Sequence, residues 1–244
     1  MLEVKINEIR LNNIILLNNI NFKFEENKIY TIIGPNGSGK STLINSLTCL
    51  LDKRFYSVNG KVLFHNKDLF SLKYDELLAI RRDYIKYVFQ DAINSFDPLK
   101  KFEFYFNIFS KNEAEIESLL NFFLLPNKIK LFKLFPYEVS GGMAQRISFV
   151  LALLNEPEIL ILDEPTSGID SAIANLFLLK IKQFVSKKNH IVLLVTHDIK
   201  FADKASQEIA FLANGSISQF TTLDKFSLDD STEFTDLSNA KKIY

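Results

Sequence analysis

The stretch KIYTIIGPNGSGKST, Lys28–Thr42, decides the fold. It begins as a short apolar run, Lys28–Ile33, of the kind that forms a strand buried on both faces. The run ends at Gly34-Pro35-Asn36-Gly37-Ser38-Gly39-Lys40-Ser41, which fits G-x-x-x-x-G-K-[ST] at every position. Successive backbone N–H groups of such a loop wrap a phosphate, and the positive end of the following helix, read here over Lys40–Leu51, faces the same anion. Lys40 is placed for the β- and γ-phosphates of a nucleotide, and the Ser41 hydroxyl, followed by Thr42, for Mg²⁺.

Glycine use supports this reading. The chain has eight glycines, and six of them fall in three short segments: GPNGSGKST, VSGGMAQR (Val139–Arg146) and ILDEPTSGID (Ile161–Asp170). Glycine belongs where backbone approaches a ligand closely or takes an unusual dihedral. Ile159–Leu162 reads as a buried strand running into Asp163 and Glu164, and the carboxyl ends of such strands are where ligands sit in open α/β sheets. Asp163 is placed to hold Mg²⁺ through water, and Glu164 to polarise an attacking water as general base. A lone Asp-Glu pair at a strand end is otherwise a common solvated feature; the complete P-loop is what tips the reading. In the remaining segment Ser140 is a good N-cap for a helix over Gly142–Leu154, whose first amides are free donors. Taken alone, Val139–Met143 reads better as a plain helix cap than as a second anion site.

Composition narrows the class. At 244 residues the chain can bury a full core. Lys+Arg and Asp+Glu are both 29, which gives no broad electrostatic footprint for nucleic acid. No apolar run approaches the roughly 18 residues of a membrane span, and MLEVKINEIR places charges where a signal peptide needs apolar residues, so a cytosolic protein is expected. Cys49 is the only cysteine, which excludes an intrachain disulfide; it reads as a small core residue.

Along the chain, strand and helix signals alternate, as in an α/β domain with a largely parallel sheet. Leu2–Ile9 and Ile20–Phe24 read as short edge strands, Lys61–Phe64 and Tyr84–Phe89 as further strands. From Asp91 to Leu154 helical patterns replace them, including Ala114–Leu124. Strands return at Ile191–Thr196 and Glu208–Leu212, with a helix over Ser171–Val185. The expected organisation is a single domain: a core of residues 1–90 and 155–220, a helical subdomain 91–154 and a short tail 221–244. There is no internal repeat.

With these motifs in order, the chain resembles the nucleotide-binding subunit of ATP-binding cassette (ABC) transporters over roughly residues 1–220. The resemblance implies a P-loop NTPase core with a mixed, largely parallel sheet, an antiparallel β edge and an inserted helical subdomain. It implies Mg²⁺-dependent hydrolysis of ATP sandwiched between two cassettes, in which Ser140, Gly141, Gly142 and Met143 of one close on the γ-phosphate held by the P-loop of the other. Gln90, in YVFQD, matches the glutamine that touches Mg²⁺ and reports nucleotide state to the membrane subunit. Asp170, in SGID, matches the aspartate at the dimer seam. His197, in VTHD, matches the switch histidine on the γ-phosphate, although alone it reads as a structural strand-end residue. His65 and His190 match no motif and read as structural or surface residues. The implied partners are a second cassette (self or paralogue), transmembrane permease subunits and, indirectly, a solute-binding protein, at the inner face of the cell membrane.

VFQDAINSFDPL (Val88–Leu99) and the SGGM of Ser140–Met143 are similar to the dipeptide, oligopeptide and nickel importer subgroup. A soluble ABC ATPase and a non-hydrolytic regulatory module are the competing readings; intact Gln90, Glu164 and His197 speak against the second. Three positions depart from the family pattern: Val139 for Leu, Met143 for Gln, and Leu11, beside Ile9 and Arg10, where an aromatic normally stacks on adenine. The aromatic run KFEFYFNIF (Lys101–Phe109) reads either as an apolar groove for a helix of a membrane partner or as the core of the helical subdomain.

Overall fold

The computed structural model describes residues 1–108, 113–187, 189–222 and 224–226. Most of the expected tail 221–244 and Phe109 of the aromatic run therefore lie outside the described residues.

Two sheets form the frame. The six-stranded sheet has the order β10-β9-β3-β8-β7-β6, with β3 at Lys28–Ile33, β6 at Ile85–Val88, β7 at Ile159–Asp163, β8 at Ile191–Thr196, β9 at Glu208–Ala213 and β10 at Ser216–Ile217. Strands β9, β3, β8, β7 and β6 are all parallel, and only β10 runs the other way. Every residue of β7 and β8 is buried. Their side chains alternate between two apolar clusters. Leu160, Leu162, Val192 and Leu194 face the helices; Ile159, Ile161, Ile191, Leu193 and Val195 face the second sheet. A strand covered on both faces needs no polar alternation, which is why these segments read as continuous apolar runs.

The second sheet is antiparallel, with β1 at Leu2–Leu11, β2 at Ile14–Phe24, β4 at Tyr56–Phe64 and β5 at Lys67–Asp68, in the order β2-β1-β4-β5. These strands pair among themselves and not with the parallel set. Both N-terminal strands are longer than the sequence suggests. Asn12, at φ 52°, turns the chain into a tight hairpin with Asn13. The apolar run Ile14–Leu17 hides the alternation, and Ile14 and Ile15 are in fact exposed. The β4 strand also begins earlier than expected, because Asn59-Gly60 has the composition of a turn. Instead Gly60 lies in the ladder opposite Ile6 at φ 144°, where a Cβ would come within 2.2 Å of the Lys5 carbonyl oxygen.

Helix α1 (Lys40–Leu47) sends Leu43, Ile44 and Leu47 into the cluster shared by the two sheets. It is shorter than expected: Cys49 lies beyond its end at φ 56°, half-buried against the core. Helix α2 (Tyr74–Asp83) has no fully buried residue; Leu77 and Ile80, half-buried, pack against the core and make only a short apolar face among charged residues. The middle segment holds α3 (Phe102–Ile108), α4 (Glu113–Phe122), α5 (Lys128–Leu131) and α6 (Gly141–Leu154). In α3, Phe102 and Phe106 are one helical turn apart and buried, whereas Phe104 is 47% exposed. The aromatic run is therefore core on one face, and only Phe104 of the three is turned outward. Helix α7 covers Ser171–Val185, as read from sequence, and α8 spans Ile199–Ala205. No helix among the described residues is long and apolar enough to cross a membrane.

Candidate nucleotide site

Parallel pairing places the carboxyl ends of β3, β8, β7 and β6 side by side on one edge of the sheet. The residues that follow these ends are the P-loop, His197, Glu164 and Gln90, in that spatial order, with Asp163 closing β7 itself. Motifs separated by more than a hundred residues are thereby assembled by four adjacent strands. They border one cleft of ≈ 480 Å³, lined by Gly37, Gly39, Lys40, Ser41 and Thr42 together with Gln90, Glu164, Ser167 and His197.

The loop's geometry depends on its first glycine. A Cβ on Gly34 would stand 2.2 Å from the Leu212 carbonyl oxygen of β9, so any side chain there pushes the loop off the sheet. The Lys40 ammonium donates to the carbonyls of Gly34 and Pro35, each at 2.9 Å, and so ties the start of the loop to the start of the helix. Lys40 is 6% exposed. Burial lowers its pKa, against the opposing pull of the Glu164 and Asp163 carboxylates.

Glu164 is also buried, at 5% exposure, and its backbone is left-handed at φ 48°. Its N–H donates to Val195 O at 2.8 Å, and its carbonyl accepts from Ser167 N at 3.0 Å, which pin this turn. The carboxylate accepts from the Thr196 hydroxyl (3.1 Å) and the His197 N–H (3.3 Å), and His197 Nδ1 lies 2.9 Å from its other oxygen. A carboxylate so restrained has one orientation, facing the cleft that it lines.

Asp163 is 4% exposed, and the Tyr87 hydroxyl donates to its Oδ2 at 2.8 Å. Its Oδ1 is buried without a hydrogen-bond partner. Burial raises the Asp163 pKa; the Tyr87 and Ser41 hydroxyls lower it, Glu164 raises it further, and Lys40 opposes. Ser41 and Gln90 line the cleft and Asp163 lies beside Ser41, so their oxygens are the donors that could be offered to Mg²⁺, which takes few protein ligands and keeps waters and phosphates for the rest.

The SGGM segment lies apart. Ser140, Gly141, Gly142 and Met143 do not line the cleft. Ser140 caps α6, accepting from Met143 N at 3.3 Å. A Cβ on Gly141 would meet nothing within 4 Å, while one on Gly142 would reach Ile169 Cγ2 at 3.4 Å. The Met143 side chain packs on the helical core. Asp170 caps α7, accepting from Ile173 N at 2.9 Å. Of the remaining histidines, His65 pairs with Glu158 and His190 bonds the Pro157 carbonyl, each away from the cleft.

The family profile for the ABC transporter matches residues 17–167, more than half of the chain. The chain belongs to the ABC transporter family. This cassette is 32% identical over 213 residues to a dipeptide transport ATP-binding protein of Bacillus subtilis, covering 83% of the present chain and 64% of that one. It is 27% identical over 215 residues to an oligopeptide transport ATP-binding protein of Lactococcus lactis, covering 84% and 64%. The chain thus spans 64% of the length of these peptide-transport relatives. It is also 33% identical over 219 residues to the uncharacterised ABC transporter ATP-binding protein MJ0796 of Methanocaldococcus jannaschii, covering 86% and 90%. A dimeric, post-hydrolysis structure of that cassette bound to ADP and Pi superposes with a TM-score of 0.77 at 28% identity, covering 91% of this chain and 99% of the other.

Three residues that the cassette brings to the site had no signal of their own in the sequence. Ser167 lines the cleft, Thr196 holds Glu164, and Tyr87 holds Asp163. Each acts through the register of a neighbouring strand or turn. Tyr87 and Thr196 meet the two carboxylates only through the pairing of β6, β7 and β8.

Proposed function

We propose that this cassette is the Mg²⁺-dependent ATP-hydrolysing subunit of an importer for dipeptides or oligopeptides. It works as one of two cassettes, with permease subunits at the inner face of the membrane and a solute-binding protein delivering cargo. The observation that carries this reading is the single cleft bordered by the P-loop, Gln90, Glu164 and His197. Lys40 and the loop amides bind the phosphates, and Glu164 polarises the attacking water. His197, paired with Glu164 and lining the same cleft as the P-loop, contacts the γ-phosphate. Ser41, Gln90 and Asp163 would hold Mg²⁺, which would neutralise phosphate charge when bound. Ser140 to Met143 face the nucleotide of the partner cassette, and Asp170 lies at the seam, consistent with their position outside the chain's own cleft. Catalysis here is positioning and charge stabilisation.

The peptide-transport relatives favour the peptide branch over the nickel branch of the same subgroup. The test is copurification: a polytopic membrane protein recovered with the cassette, and Mg·ATP turnover in that complex, support the importer. Turnover by a cassette that never associates with one supports a soluble, non-transport ATPase instead. Absence of any turnover in the intact complex overturns the hydrolytic reading.

Base selectivity should be weak. Leu11 is aliphatic and half-buried, Ile9 is fully buried, and Arg10 is held by Glu8 through two hydrogen bonds of 2.9 Å. None presents an aromatic face to a purine, a contact worth about 1–3 kcal/mol per base elsewhere. GTP should therefore be hydrolysed nearly as well as ATP. A competition assay in which ATP is preferred by about a hundredfold, or about 2.7 kcal/mol, defeats this expectation.

A further inference from the structure

We propose that Tyr87 is a positioning residue for metal binding: its hydroxyl fixes one oxygen of Asp163 and leaves the other available to Mg²⁺, an inference that rests on the nucleotide-hydrolysis reading. Three observations carry it. The hydroxyl donates to Asp163 Oδ2 at 2.8 Å, while Oδ1 of the same buried carboxylate has no hydrogen-bond partner. The strand register sets Tyr87 opposite Ile161 and Val88 opposite Leu162, so the phenol reaches forward along the sheet to the residue that closes β7. The Tyr87 ring is stacked on Phe89, centroids 4.2 Å apart and planes 21° from parallel, which restrains the phenol from swinging away.

The chemistry follows from this division of the carboxylate. A buried carboxylate with one oxygen anchored cannot rotate freely about its Cβ–Cγ bond, so the second oxygen keeps one direction. Without the hydroxyl, Oδ2 is left unsatisfied and the carboxylate turns to recover a donor. Both changes weaken the metal site. The β6 strand that carries Tyr87 leads directly to Gln90, so one strand supplies a metal ligand and orients another.

Tyr87→Phe removes only the hydroxyl and keeps the stacked ring. Two titrations separate orientation from general damage: Mn²⁺ followed by electron paramagnetic resonance on protein saturated with the β,γ-imido analogue of ATP, and a fluorescent ATP analogue in EDTA. The variant should bind Mn²⁺ about tenfold more weakly, the lower end of the effect of removing a group that orients a metal ligand, with EDTA affinity for nucleotide unchanged. Equal Mn²⁺ affinity in the two proteins overturns the proposal. So does a loss shared equally by the EDTA titration, because that marks a loosened fold. If the unaltered protein binds neither nucleotide nor Mn²⁺, the hydrolytic reading itself fails, and the two failures are told apart.

Discussion

Glu164→Gln is expected to lower ATP turnover by about 10²–10⁴-fold, the usual contribution of a positioned general base, while nucleotide binding is retained. The substitution is isosteric, and the surroundings show why it should leave the fold intact. The turn at Glu164 is held by backbone bonds to Val195 and Ser167, not by its side chain. A left-handed residue here costs the amide no more than the carboxylate. The glutamine oxygen can still accept from the Thr196 hydroxyl and the His197 N–H. What disappears is a basic oxygen facing the cleft. With binding intact and cleavage blocked, paired cassettes should remain closed on ATP, visible as a dimer by size-exclusion chromatography in Mg·ATP. Near-normal turnover in a single-turnover assay removes Glu164 from the base role.

Lys40→Ala should act on binding. The ammonium replaces two carbonyl contacts by phosphate contacts when a nucleotide arrives, and hydrogen bonds to charged groups are worth about 1.5–3 kcal/mol each. Loss of affinity by a factor on the order of 100 or more is expected in a fluorescent-nucleotide titration. The local charge reinforces the effect. Lys40 is the cation whose field reaches both Asp163 and Glu164, and without it two buried carboxylates meet an incoming polyphosphate. Affinity within about threefold of the unaltered protein, less than 1 kcal/mol, shows that the loop amides bind the phosphates unaided.

The fold was most legible where local chemistry and burial agree. Strands β3, β7 and β8 read as apolar runs because they are covered on both faces. The bounds of α7 came out as observed because Asp170 caps its start and an apolar stripe defines its length. Legibility fell where the two disagree. The β1–β2 hairpin hides behind exposed isoleucines, Gly60 sits in a ladder behind a turn-like Asn-Gly, and α2 rests on the core only through half-buried Leu77 and Ile80. In the site, the P-loop and the Asp163-Glu164 pair could be read from the residues, since phosphate cradles need contiguous amides and a strand end needs only its own run. Gln90, His197 and Asp170 were reached through resemblance, because a single polar residue after a strand carries no pattern.

From the chain of letters alone came the phosphate loop, the acidic strand end and the α/β alternation, all of which are set by neighbours a few positions apart. Only the tertiary structure decided which strands lie side by side, and so which residues meet: Tyr87 with Asp163, Thr196 and His197 with Glu164, and the SGGM segment apart from its own cleft. The physical reason is that strand order and register arise from burying both faces of the sheet at once, a condition shared by residues far apart in sequence that no local window contains.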